Sequence, residues 1–138
     1  MTLKNKEFRD TVRAAIKAHD RFSDFGSFKL WEKRVDSSDL PAISLGVPRW
    51  GLDPNHSLDT SERVATLVVA VKRCGGDELE DLGEEDAKAL EDIVLGALDD
   101  EAHEVTPQEA SYQEDVGGQQ AVSTLSMMFA IKYWPSTS

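Results

Sequence analysis

The sequence predicts an α+β fold: a mostly antiparallel β-sheet with two helices packed on it and a long protruding hairpin, in one domain over 1–138. Three observations predict it. Over 121–134, AVSTLSMMFAIKYW, the side chains alternate: Leu125, Met127, Phe129, Ile131 and Tyr133 share one face, and Thr124, Ser126, Met128, Ala130 and Lys132 the other. A period of two over that length is a strand signal, because successive side chains point to opposite faces. Near the N-terminus, Phe8, Val12, Ala15 and Ile16 recur at helical spacing. Between two further strand signals lies PRWGLDPNHSLDT (48–60), a polar stretch with two prolines and one glycine that reads as an extended hairpin loop.

The elements follow in order. The first helix covers 2–19, and Lys4, Lys6, Arg9, Arg13 and Lys17 decorate the rest of its surface. It is locally basic on a chain of net charge -11. Residues 20–26 connect it to a short strand around Phe28, Leu30 and Trp31, and 36–40 form a turn rich in Asp and Ser. Pro41 opens a second strand through Ala42, Ile43, Leu45 and Val47; proline is tolerated at a strand's first residue. In the loop that follows, Trp50 and Leu52 either fold back on the body or meet a partner. The strand over 61–73 sets Ala65, Leu67, Val69 and Val71 against Val64, Thr66, Val68 and Ala70. Both faces are largely apolar, which predicts a central strand covered at least partly on both sides.

Residues 77–86 are intensely acidic and lead a helix to Leu98 with Ala87, Leu90, Ile93, Val94 and Ala97 on one stripe. Carboxylates suit a helix N-terminus, and Asp81 with Glu84 has the spacing of a capping box. Asp99, Asp100, Glu101 and Glu104 crowd the other end, in a predicted loop. A short strand over 109–115 around Tyr112 and a Gly117-Gly118 turn lead into the final strand. That strand holds no Gly or Pro, which suits a central place, and Pro135 ends it. At about 3.3 Å per residue it would span roughly 45 Å, so a bend or an overhang is expected.

With 40% apolar and 30% charged residues, the composition is that of a soluble globular protein. The acidic balance disfavours direct binding to nucleic acid or to an anionic membrane. A single cysteine, Cys74, excludes an intramolecular disulfide and suits a reducing compartment. The start, MTLKNKEFRD, lacks the apolar segment of a secretory signal, and the longest apolar runs, 67–71 and 127–131, are too short to span a bilayer. The expected setting is intracellular.

No chemistry is announced. His19, His56 and His103 lack metal-ligand spacing, Asp53, His56 and Asp59 form only a loose polar triplet, and Cys74 has no base beside it. Gly75-Gly76 and Gly117-Gly118 read as turns, since no phosphate-loop pattern surrounds them. No catalytic, metal or cofactor residue is predicted, and the chain is not expected to be an enzyme.

Four segments carry a resemblance: FRDTVRAAIKAHD, VDSSDLPAISLGV, ATLVVAVK and the closing MMFAIKYW. Together with the order of elements they resemble the tail terminator (tail-completion) family of long-tailed phages over nearly the whole chain. The LPAISL segment is the most specific piece. The resemblance implies a homo-hexameric ring that caps the tail tube, ends its polymerisation and offers a docking surface to the head-tail connector. It implies a place at the head-proximal end of the virion tail, assembly in the host cytoplasm, and a channel that DNA passes without specific binding. Tail tube protein and head-tail connector protein are the implied partners, and the family carries no catalytic residues.

The interface candidates come from the residues themselves: Arg49, Trp50 and Leu52 on the hairpin, Trp134 at the strand end, and Asp99, Asp100, Glu101 and Glu104 for a lumen or rim. A head-tail connector or stopper is the neighbouring alternative. A free-standing acidic decoy or inhibitor of a basic partner is the alternative from another class, and an enzyme built on the His56 loop is the weakest.

Overall fold

The computed structural model describes residues 4–29, 41–52, 63–100, 103–115 and 121–134. Along the chain come α1 (Lys4–Ala18), β1 (Gly26–Lys29), β2 (Ala42–Leu52), β3 (Arg63–Gly75), α2 (Leu79–Leu98), β4 (His103–Asp115) and β5 (Ala121–Tyr133). The strands form one sheet in the order β1-β2-β3-β5-β4. Four of them are antiparallel neighbours, and β1 adds to β2 in parallel. This is the predicted α+β class, with both helices on a mostly antiparallel sheet.

The alternation in β5 does what its period requires. Leu125, Met127, Phe129, Ile131 and Tyr133 are all buried, while the side chains between them on the other face are half-buried. They share one core with Phe8, Val12 and Ile16 of α1, with Leu90, Val94 and Leu98 of α2, and with Ala65, Leu67, Val69 and Val71 of β3. Each fully buried large side chain there contributes about 1.5–3 kcal/mol. Both helices therefore lie on one face of the sheet. On the opposite face of β3, Val64, Thr66 and Ala70 stay half-buried and Val68 is buried.

Several expectations about boundaries are corrected. No overhang appears on β5, because β3 pairs with it from Ala121 to Tyr133 and β4 from Val122 to Tyr133. Its neighbours are simply as long as it is. Residues 48–52, expected in the loop, continue β2. Pro48 sits where the register shifts between Gly46 and Arg49, and such a bulge tolerates a residue with no N–H to donate. The strand expected from 109 begins at His103, with a second shift between Pro107 and Glu109. On that edge strand only Val105 is buried, so its sequence shows little alternation. The strands β2 and β3 pair as far as Leu52 and Arg63. The protruding tip expected over 53–60, the strand residues Leu30 and Trp31, and the Gly117-Gly118 turn lie outside the described residues.

The capping box does not form. The helix α2 starts at Leu79, whose side chain is fully buried, so Asp81 and Glu84 lie within it. Its N-cap, Glu78, makes no side-chain capping bond to the helix and instead accepts from the Gly76 N–H at 3.3 Å.

One member of the acidic run has a different role from the rest. Asp86 is 1% exposed and sits on the buried stripe of α2 between Gly83 and Leu90. Arg21 Nε donates to its Oδ1 at 2.7 Å, and Arg73 donates to both oxygens, Nε to Oδ2 at 2.7 Å and Nη2 to Oδ1 at 3.0 Å. Arg21 also reaches the Leu82 carbonyl, and the Arg73 guanidinium stacks 4.7 Å over the Phe25 ring. A buried carboxylate is tolerable because both oxygens are bonded to charged donors. The clasp fixes the segment after α1, the end of β3 and the first turns of α2 to one another.

Two stability predictions follow from this packing. Replacing Asp86 by Ala leaves the partly buried Arg73 guanidinium without its carboxylate and leaves Arg21 with only the exposed Glu85 at 3.3 Å, and it should cost about 3–5 kcal/mol in urea unfolding. The triple change Asp86→Leu, Arg21→Met, Arg73→Met should recover most of that loss. The second concerns Gly83, where an added Cβ would meet the Tyr112 ring at 2.6 Å. Alanine gains about 1 kcal/mol of helix propensity but overpacks by about 1–3 kcal/mol, so Gly83→Ala should be destabilising on balance. In a Tyr112→Ala background the same change should become stabilising.

Candidate functional site

The candidate interface residues gather at one end of the sheet. The register there aligns Leu52, Arg63, Tyr133 and His103 in one row, and Trp50, Ala65, Ile131 and Val105 in the next. Trp134 follows Tyr133 directly. Among the described residues, β1 flanks β2 only from Ala42 to Leu45, so the segment bearing Arg49 and Trp50 is a sheet edge. Trp50 is 63% exposed and Trp134 45%, and they are the only exposed large hydrophobic side chains among the described residues. Each holds an apolar body with a single N–H donor at the tip, a combination suited to a partly wet contact. Arg49 is exposed and pairs with Thr66, on the face away from the helices.

The second acidic cluster builds a turn. Asp99 Oδ1 accepts from the Val105 N–H at 3.2 Å, and Asp100 Oδ1 accepts from the His103 N–H at 2.9 Å. These bonds close the passage from α2 into β4, with the Asp100 N–H donating to the His103 carbonyl. Lys4 Nζ lies 3.1 Å from His103 Nε2. An ammonium can only donate, so this nitrogen accepts and Nδ1 carries the ring proton. Asp100 Oδ1 is 3.0 Å from Nδ1 but off the line of a hydrogen bond. Asp99, Asp100 and Glu104 remain exposed, and Glu101 lies outside the described residues.

Beyond that end, the outer face of α2 presents Glu80, Asp81, Glu84, Glu85 and Asp92 to solvent. An open groove of about 640 Å³ runs between α2 and the segment after α1, lined by charges of both signs from Arg21, Lys88, Glu85 and Asp92. Among the described residues no three His, Cys, Asp or Glu side chains are placed to hold a metal ion, and no helix is long and apolar enough to cross a membrane. Cys74 is a half-buried free thiol. The loop triplet Asp53, His56 and Asp59 lies outside the described residues.

Sequence reasoning missed the special place of Asp86. A signal was available: Asp86 falls in register with Leu79, Gly83, Leu90 and Val94, so a charge occupies an apolar position of the helix. No family model matches the chain, and no curated protein matches it significantly.

Among the described residues, the one strongly shifted group is Tyr112. Its hydroxyl donates to Glu114 Oε1 at 2.7 Å. Desolvation, and after it the adjoining carboxylate, push its pKa up to about 12 from 10.0. The neutral phenol's contribution to stability is therefore complete below pH 10 and is lost as pH rises through about 12. Alkaline unfolding followed by circular dichroism should show this loss in the native chain, and Tyr112→Phe should remove it from that window.

Proposed function

We propose that the chain is a structural subunit of a phage tail, a tail terminator that forms a hexameric ring, caps the tail tube and receives the head-tail connector. The observation that carries this reading is the exposure of Trp50 and Trp134 at one end of the sheet. Aromatic side chains left in water on a rigid strand and at a strand end suit a surface that another protein covers. The resemblance in FRDTVRAAIKAHD, LPAISL and MMFAIKYW supports the same reading. The net charge of -11 suits a DNA channel, because like charge keeps phosphates from adhering. In this reading the protein is not an enzyme and resides at the head-proximal end of the tail. A ring of six would concentrate negative charge, so its closure should strengthen with salt.

The acidic outer face of α2 favours one other reading, a decoy that blocks a basic partner. Such a protein would act without a ring.

Light scattering at low and high salt, with and without purified tail tubes, separates the two. The ring reading expects a sixfold mass on tube ends. It also expects Trp50→Ser to weaken capture by about thirtyfold or more, the effect of losing a contact worth about 2 kcal/mol. A chain that ignores tubes at every salt concentration would sink the ring, and tight binding to a basic protein instead would establish the decoy.

A further inference from the structure

The helices occupy only one face of the sheet, and the other has a composition of its own. Its centre is made of Thr66, Val68 and Ala70 on β3 and Ser126, Met128 and Ala130 on β5, all small or apolar and none charged. Charge appears only around this centre. Lys72 and Lys132 lie in the end rows, Arg49 stands on the β2 side, and Glu104 and Glu109 stand on the β4 side. Arg49 makes no ion pair among the described residues.

We propose that this face is a homodimer interface, in which two copies pack sheet against sheet about a twofold axis parallel to the strands. A rotation about such an axis, set over the boundary of β3 and β5, preserves height along the strands and exchanges the two sides of the sheet. The strand β2 of one copy then lies over β4 of the other, and β3 over β5. Arg49 is in register with Thr66, and through it with Ala130 and Thr106. On this face of β4, Thr106 stands between Glu104 and Glu109. Each Arg49 therefore arrives over the gap between two carboxylates of the other copy, and the symmetry makes the contact twice. In the centre, Val68 of each copy meets Met128 of the other, and Thr66 meets Ala130. A twofold axis across the strands would instead lay β4 on β4 and β2 on β2, where Arg49 meets no carboxylate. Charge therefore selects the axis along the strands.

The size is adequate. A face of three thirteen-residue strands and one of eleven covers roughly 800 Å² per copy, the share of each partner in a standard stable interface. Two sheets so packed would sit about 10 Å apart with strands about 30° from aligned. The pairing is a property of the isolated chain and does not rest on the tail reading.

Sedimentation equilibrium of the full chain, without tubes, tests it. The native chain should be dimeric. Arg49→Glu should weaken pairing by about tenfold or more, and adding Glu104→Arg and Glu109→Arg to that variant should restore it. Ala70→Arg places a charge at the centre and should give a monomer, with circular dichroism checking that the fold is kept. A native chain that is monomeric at every concentration overturns the proposal. So does an association that both Arg49→Glu and the folded Ala70→Arg leave unchanged. Neither of these results alters what tail tubes do to the mass, so the two readings fail separately.

Discussion

A carboxylate with almost no exposure, held between two guanidinium groups, is the constraint on which the rest of this structure depends. Asp86 receives Arg21 from the segment after α1 and Arg73 from the end of β3, while its own backbone belongs to α2. Three parts of the chain that are distant in sequence are thereby fixed at one point. Coulombic attraction supplies little net free energy after desolvation, so the value of the arrangement lies in geometry. Once α2 is pinned to the end of β3 and to the chain leaving α1, the two helices must lie side by side on the same face of the sheet.

That one-sided arrangement shapes the surface. The helix-bearing face holds the core, and the other face has small and apolar side chains at its centre. At one end of the sheet Trp50 and Trp134 stand in solvent, and the outer face of α2 carries a cluster of exposed carboxylates. Apolar, aromatic and acidic surfaces thus occupy different regions of a small molecule. The proposed ring rests on the indoles at the end of the sheet and the proposed pair on the centre of the face away from the helices, while Arg49 and Glu104 border both.

How much of this was legible in the sequence depends on which force sets each feature. The period of two in β5 and the helical stripe of α1 predicted the fold class and most of the core, because hydrophobic burial writes a pattern into consecutive residues. Trp50 and Trp134 were legible as interface candidates, since a large aromatic outside any stripe has no core position to fill. Strand ends were less legible where a bulge intervened: the residue pattern starts a loop at Pro48 and the fourth strand at 109, yet the strands run through Pro48 and Pro107. The clasp on Asp86 was hidden by its neighbours, because seven carboxylates over 77–86 invite one explanation by helix dipole. Only tertiary pairing with Arg21 and Arg73 distinguishes one of them. The Asp99 and Asp100 turn was hidden similarly, since backbone capping leaves no long-range signature.

The two bulges have a consequence for how the chain behaves in a crowded cell. The break between Gly46 and Arg49 and the break between Pro107 and Glu109 fall at nearly the same height, on either side of the row formed by Leu67 and Phe129. The edge strand β4, and β2 beyond the part that β1 covers, are therefore each interrupted by a proline that cannot donate a hydrogen bond. A foreign strand seeking to extend the sheet would find only short runs of usable backbone before the ladder failed. Edge-to-edge growth of the folded sheet is thereby disfavoured, and association is steered toward its exposed surfaces and indoles.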